Sequence, residues 1–190
     1  RIKGREEFRV ISTNGDDRLG GKDWDEVIVS LLAEEFSSQT GTPADDLLDD
    51  PETYQGLLIR AEEIKKKLSV GTQHVELVIF GTDRARVTLT REKFEELTRQ
   101  FLEKTIAFTE EALERGRWAG VSSPDKILLV GGSSFMPQVM ERLKRFVVEK
   151  QLDAEILLRD PHLVVAKGAA LWGEMGAVGR QISEGIAHVG

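Results

Sequence analysis

Lys126-Ile-Leu-Leu-Val-Gly-Gly-Ser-Ser-Phe-Met-Pro137 changes character halfway along. Lys126–Val130 carries an unbroken apolar run, which predicts a strand buried on both faces. Gly131-Gly132-Ser133-Ser134 then turns the chain into a helix from about Met136 to Val148. A strand that feeds a helix through a glycine turn is the unit of a mixed α/β sheet. Downstream, Glu155–Leu158 predicts a second short strand, and Asp160-Pro161 opens a helix rich in small residues (Ala166, Gly168, Ala169, Ala170). Small side chains let such a helix pack closely on what lies beneath it. The last dozen residues carry little signal.

Upstream, Ser122–Asp125 reads as a loop, and before it a long helix capped by Thr90 keeps Phe94, Leu97, Phe101, Phe108 and Ala112 at helical spacing as far as Arg115-Gly116. Gln73–Phe80 and Ala85–Leu89 predict a hairpin around Gly81-Thr82-Asp83. Asp50-Pro51-Glu52 starts a helix to about Leu68, with Leu57, Ala61, Ile64 and Leu68 on one face. Ser37–Asp50 is polar and reads as a loop. Asp23 or Asp25 caps a first helix carrying Trp24, Val27, Ile28, Leu31, Leu32 and Phe36. Phe8–Thr13 reads as a strand ended by the turn residues Asn14-Gly15-Asp16-Asp17. The element order predicts an α/β sheet domain with a helical insertion that holds its own small sheet.

Composition narrows the function. Among 190 residues, 26 Lys+Arg stand against 33 Asp+Glu, a formal net charge of −7. Such a chain has no general attraction to nucleic acid, and no basic–aromatic stripe suggests local binding. With no cysteine the chain has no disulfide framework, which fits a reducing compartment and a cytoplasmic location. Three scattered histidines (His74, His162, His188) leave no plausible zinc site, so no metal ligand is assigned. Apolar runs such as Leu77–Phe80 are too short to cross a bilayer. A start at Arg1 without Met suggests a piece of a larger protein.

Three features could carry chemistry. Glu62, Lys65, Lys66 and Ser69 are spaced i, i+3, i+4, i+7 and so share one helix face. A carboxylate accepts from ribose hydroxyls, an ammonium donates to ribose or phosphate oxygens, and a lysine stem lies along a flat base. A serine hydroxyl both donates and accepts at a base edge. On spacing alone, a solvated face with Glu62–Lys66 as an ordinary pair explains these residues better. Gly131, Gly132 and Ser133 form the second feature, where glycines and free N–H groups favour an anionic or hydrogen-bonding ligand. The sequence there is neither Gly-x-Gly-x-x-Gly nor a Walker A loop, and a tight turn explains it equally. Gly20-Gly21-Lys22-Asp23 is the third, with helix capping as its simpler reading. Asp16-Asp17 and Asp45-Asp46 read as solvated turns, and nothing supports a hydrolase built on paired carboxylates.

Taken together the segments are more specific. Ser12–Asp25, Ala61–Ser69, Leu89–Leu97, Ile127–Pro137 and Asp160–Ala170 resemble, in order and spacing, segments of the DnaK-type chaperones of the seventy-kilodalton heat-shock family. The resemblance covers about residues 8–175. It implies the second lobe of an actin-like, ribonuclease-H-like ATPase domain. Residues 1–21 and 99–190 would form its sheet subdomain and 22–98 the insertion. It implies ATP or ADP as ligand, with Mg2+ carried through the phosphates in the complete protein. By position, Glu62 and Lys65 hold the ribose, Ser69 meets the base, Lys66 packs on one adenine face, and Gly21, Gly131, Gly132 and Ser133 lie near the nucleoside and phosphates. Phe135 stands where the family has an arginine on the other adenine face, and a phenyl ring also stacks on a base. His162 and Leu163 replace acidic residues, and Lys22 replaces an acid, which points to a divergent member.

The resemblance puts the family's phosphate loops and catalytic Lys and Glu before Arg1, and its peptide-binding domain after Gly190. No residue here is assigned a catalytic role, and the chain alone is expected to bind nucleotide weakly and not to hydrolyse it. Expected partners are a first lobe, a co-chaperone or nucleotide-exchange factor, and unfolded clients. Two sheet edges would be bare without the first lobe's strands, so re-pairing within the chain or self-association is expected. A non-catalytic interaction module is the alternative. An actin-like filament or sugar-kinase relative is disfavoured, because the segments resemble DnaK in detail.

Overall fold

The computed structural model describes residues 9–159 and 163–173. The first helix, α1 (Gly21–Thr40), starts at Gly20, whose N–H donates to the Asp23 carboxylate at 2.7 Å. Asp23 therefore closes the helix from its third position, and Asp25 takes no part in capping. Helix α1 ends at Gly41, which adopts φ 83°, a left-handed conformation that glycine supplies without strain. The stretch expected to be loop contains a second helix, α2 (Ala44–Asp49). Its Leu47 is fully buried, and that one anchor folds an otherwise polar segment. In α3 (Pro51–Val70) the Asp50 carboxylate accepts from Thr53 N–H at 2.9 Å, and proline sits in the first turn, as predicted.

Strands β1 (Gln73–Phe80) and β2 (Asp83–Thr90) pair antiparallel. The loop is Gly81-Thr82 alone, since Asp83 already pairs with Phe80. Gly81 takes φ 58°, the positive φ such tight loops demand. One face of the hairpin buries Val78, Ala85, Val87 and Leu89 against α1 and α3. With Ile28, Leu32, Phe36, Leu47, Leu57 and Ile64 they form the larger hydrophobic core. Each large aliphatic side chain buried there contributes roughly 1.5–3 kcal/mol.

Helix α4 (Arg91–Trp118) is capped by the Thr90 hydroxyl, which accepts from Lys93 N–H at 3.2 Å. Its buried stripe is Phe94, Thr98, Leu102 and Ile106; Leu97, Phe101, Phe108 and Ala112 are half-buried beside it. The stripe is turned from the predicted one because α4 serves two cores. Phe94 and Phe101 join the larger, while Ile106 joins Leu143 and Phe146 in a smaller one. Over that smaller core lie β3 (Lys126–Leu129), α5 (Pro137–Glu149) and β4 (Glu155–Leu158). Strands β3 and β4 run parallel, Lys126 opposite Glu155. Between β3 and α5 the chain makes one 3-10 turn, Gly132–Phe135, so α5 begins at Pro137.

Four expectations are corrected. Strand β3 is buried on one face only: Ile127 and Leu129 pack on the smaller core, while Leu128 and Val130 are exposed. A two-stranded sheet covered by helices on one side leaves its other side open. Residues 9–13 form no strand. They lie along α4 instead, with the Ser12 hydroxyl donating to Ala112 O at 2.8 Å and Arg115 donating to Thr13 O at 3.1 Å. A strand exists only by pairing, and side-chain bonds to a helix replace it here. Among the described residues β3 pairs with β4 alone, so re-pairing within the chain is not seen. Residues 164–173 are helical, but the small residues Ala166, Gly168, Ala169 and Ala170 are exposed instead of closely packed. Phe8, Asp160, Pro161, His162 and His188 lie outside the described residues.

Candidate functional site

Three elements meet at one cleft of about 660 Å³: the start of α1, the C-terminal half of α3, and the turn after β3. The local reason is chain geometry. The i, i+3, i+4, i+7 spacing aims Glu62, Lys65, Lys66 and Ser69 off α3 towards one side. Gly131 takes φ 86°, which bends the chain after β3 so that Gly132 and Ser133 face them. A side chain at Gly21 would stand 3.0 Å from Ser133 Oγ and 3.3 Å from Lys65 Nζ, so the three elements close on a bare Cα.

Of the nine predicted site residues, Gly21, Glu62, Lys65, Lys66, Ser69, Gly132, Ser133 and Phe135 line this cleft. Gly131 shapes the turn without lining the wall. Lys22, Asp25, Val70 and Met136 complete the lining and were not assigned to it from sequence. Asp25 carried a readable signal. It neighbours Trp24 and precedes Ile28 and Val29 on the buried side of α1, where an aspartate needs a partner.

That partner is Lys65. Its Nζ lies 2.8 Å from Asp25 Oδ1 and 2.9 Å from Oδ2, and donates to Gly21 O at 3.0 Å. Both residues are buried. The better-aligned hydrogen bond runs to Oδ2, and Oδ1 meets the same ammonium as an ion-pair contact. Burial pushes the Asp25 carboxyl above the usual aspartate range, despite the opposing pull of Lys65. Lys66 and Glu62 pair at 2.7 Å on the exposed lip. The hydrogen bond to Lys66 holds Glu62 below the usual carboxylate range, and the same bond raises Lys66. Lys22 pairs with Glu26 at 3.5 Å. The Ser69 hydroxyl donates to Lys65 O at 2.9 Å, which leaves its oxygen as an acceptor on the cleft wall.

Each ammonium in the cleft thus has a carboxylate beside it, and the site is close to neutral. Phe135 is 46% exposed and, with Val70 and Met136, gives the cleft an apolar floor. The combination suits a flat, partly apolar ligand with hydroxyl groups. A groove between α4 and α5 is as large, about 680 Å³, but five glutamates and two arginines line it around Leu102. It lacks the apolar surface a small organic ligand needs. Among the described residues no group of three or more His, Cys, Asp or Glu could hold a metal, and no helix is long and apolar enough to cross a membrane.

The fold and cleft define a mixed α/β domain with a partly apolar cleft where the turn after β3 faces α1 and α3. The family model described as Hsp70 protein matches residues 3–184. The chain belongs to the Hsp70 family, whose actin-like ATPase domains bind ATP or ADP and serve chaperones.

Proposed function

We propose that this chain forms the adenosine-side half of the ATP-binding domain of a DnaK-like chaperone, the second lobe of its actin-like fold. In the complete protein, ATP bound between two lobes and then hydrolysed would switch the chaperone between client-binding states. The sheet subdomain comprises 1–21 and 99–190 and the insertion 22–98; the smaller core lies wholly within 99–190, while the larger core, mostly of the insertion, also takes in Leu19, Phe101 and Met136. Co-chaperones, exchange factors and unfolded clients are the partners, Mg2+ enters with the phosphates, and the location is cytoplasmic.

The observation that carries this reading is the shared cleft of α3 and the Gly131–Phe135 turn. Glu62 and Lys65 are the hydroxyl-binding pair for a ribose. Lys66 and Phe135 offer an aliphatic stem and a ring to the two faces of a base. Ser69, left as an acceptor, suits an amino group on the base edge. The near-neutral charge suits the nucleoside, with the phosphates held by groups elsewhere. An amide NMR titration tests it: millimolar adenosine and ADP are expected to shift Gly21, Ser69, Gly132 and Ser133 together, with no phosphate released from ATP. Unshifted cleft signals, or micromolar affinity with turnover by the chain alone, would contradict it.

A second reading, a non-catalytic interaction module, draws on the outer face of the hairpin. Val75, Leu77 and Ile79 are 52%, 45% and 47% exposed there, opposite Thr88, Arg86 and Arg84. Phe135→Arg in the complete protein separates the two. A large gain in nucleotide affinity marks a lapsed nucleotide site and favours the module; little change favours the nucleotide reading.

A further inference from the structure

The buried Asp25–Lys65 pair is not explained by stability alone. A buried pair repays its desolvation only when every lone pair and proton is satisfied, and apolar residues of the same volume often serve as well. Here the Lys65 ammonium lies against both carboxylate oxygens, 2.8 Å from Oδ1 and 2.9 Å from Oδ2, yet burial still outweighs its attraction for the carboxylate. The pair sits on the cleft wall, and both residues line the cleft. An ammonium has three N–H groups. Lys65 gives one to Asp25 Oδ2 and one to Gly21 O. Those two bonds fix Nζ against Gly21 and beside Ser133 Oγ, at the point where α1, α3 and the turn after β3 meet.

We infer that Asp25 is a positioning residue of this cleft: it holds Lys65 so that the remaining N–H is presented to a ligand hydroxyl, next to the Glu62 carboxylate. The inference rests on the nucleoside reading above and adds a residue to it. Asp25 acts through Lys65 and does not itself touch the ligand. Lys22 also lines the cleft, but it does not replace Lys65, since it pairs with Glu26 one turn on along α1. Lys66 does not either, since it pairs with Glu62 at the lip. The arrangement commits one donor, in one direction, to a vicinal diol of the ribose type.

The test compares ADP with 2′,3′-dideoxy-ADP, titrated into the full 190-residue chain and followed by amide NMR. Wild type is expected to bind ADP more tightly than the dideoxy analogue by on the order of tenfold, the worth of one charge-assisted hydrogen bond. Asp25→Asn is expected to weaken ADP towards the level of the analogue, with the Glu62 bond remaining, and leave the analogue unchanged. Lys65→Met is expected to do the same, and the double variant to be no worse than Lys65→Met alone. A merely structural role predicts instead that both ligands weaken equally, which would overturn the inference. Equal binding of the two ligands to wild type would overturn it with no variant needed, so a poorly folded Asp25→Asn does not rescue it. No ADP-induced shift in wild-type cleft signals would overturn the nucleoside reading and this inference together. ADP binding without hydroxyl dependence would overturn only the inference.

Discussion

Gly21 and Gly20 are neighbours in sequence with opposite surroundings, and exchanging each for alanine separates folding from binding. A Cβ at Gly21 would meet Ser133 Oγ at 3.0 Å and Lys65 Nζ at 3.3 Å. Both atoms must retreat by a few tenths of an ångström, and both are proposed ligand contacts or neighbours of one. Alanine is better than glycine inside a helix by up to about 1 kcal/mol, less in the first turn. That gain and the tight contact nearly cancel, so Gly21→Ala should move the melting temperature by less than about 4 °C. Binding of adenosine or ADP should weaken about fivefold as the Lys65 and Ser133 groups lose their alignment. At Gly20 a Cβ finds nothing within 4 Å. Gly20 is the N-cap of α1, where alanine is a poor choice, so Gly20→Ala should cost about 0.5–1 kcal/mol of stability and leave binding unchanged. Thermal unfolding and an NMR titration read the two effects separately. Equal loss of binding in both variants, or none in either, would refute the assignment of the cleft.

Leu47→Ala should cost roughly 2–5 kcal/mol, because its side chain is fully buried and α2 has no other buried residue; hydrogen exchange should rise over residues 42–50. Inosine, with a carbonyl in place of the adenine amino group, should bind more weakly than adenosine by a few-fold, since the Ser69 proton is already donated to Lys65 O. Equal affinities would remove Ser69 from the base edge. The raised Asp25 pKa means the folded state holds that proton more tightly than the unfolded state does. Its contribution to stability is therefore fully present below the unfolded value and lost as pH rises through the folded value. Denaturant midpoints measured across acidic pH should show the wild type losing ground to Asp25→Asn as pH rises, then holding level; a gap that moves the other way contradicts the burial argument.

What the sequence made legible was set by local chemistry. The caps at Asp50 and Thr90, the hairpin at Gly81 and the strand–glycine–helix unit at residues 126–137 are short-range signals, and the structure has each of them. The misses depend on what lies across from a residue. Helix α2 hangs on Leu47 meeting the core, which a polar stretch does not advertise. Residues 9–13 need a pairing partner to become a strand, and β3 needs a layer on its second face to be buried. At the cleft, spacing grouped the α3 residues and the glycine turn stood out, but their meeting is a tertiary fact. In sequence Asp23 and Asp25 are equal candidates for a local cap, because the partner of Asp25 lies forty residues away.

Photo-crosslinking with 8-azidoadenosine, followed by peptide mapping, asks directly whether a purine nucleoside sits between α3 and the turn after β3. Adducts on peptides covering 61–70 and 130–137, competed by adenosine and by ADP alike, are the expected result. Labelling that maps to other segments, or that unlabelled adenosine fails to displace, would contradict the account.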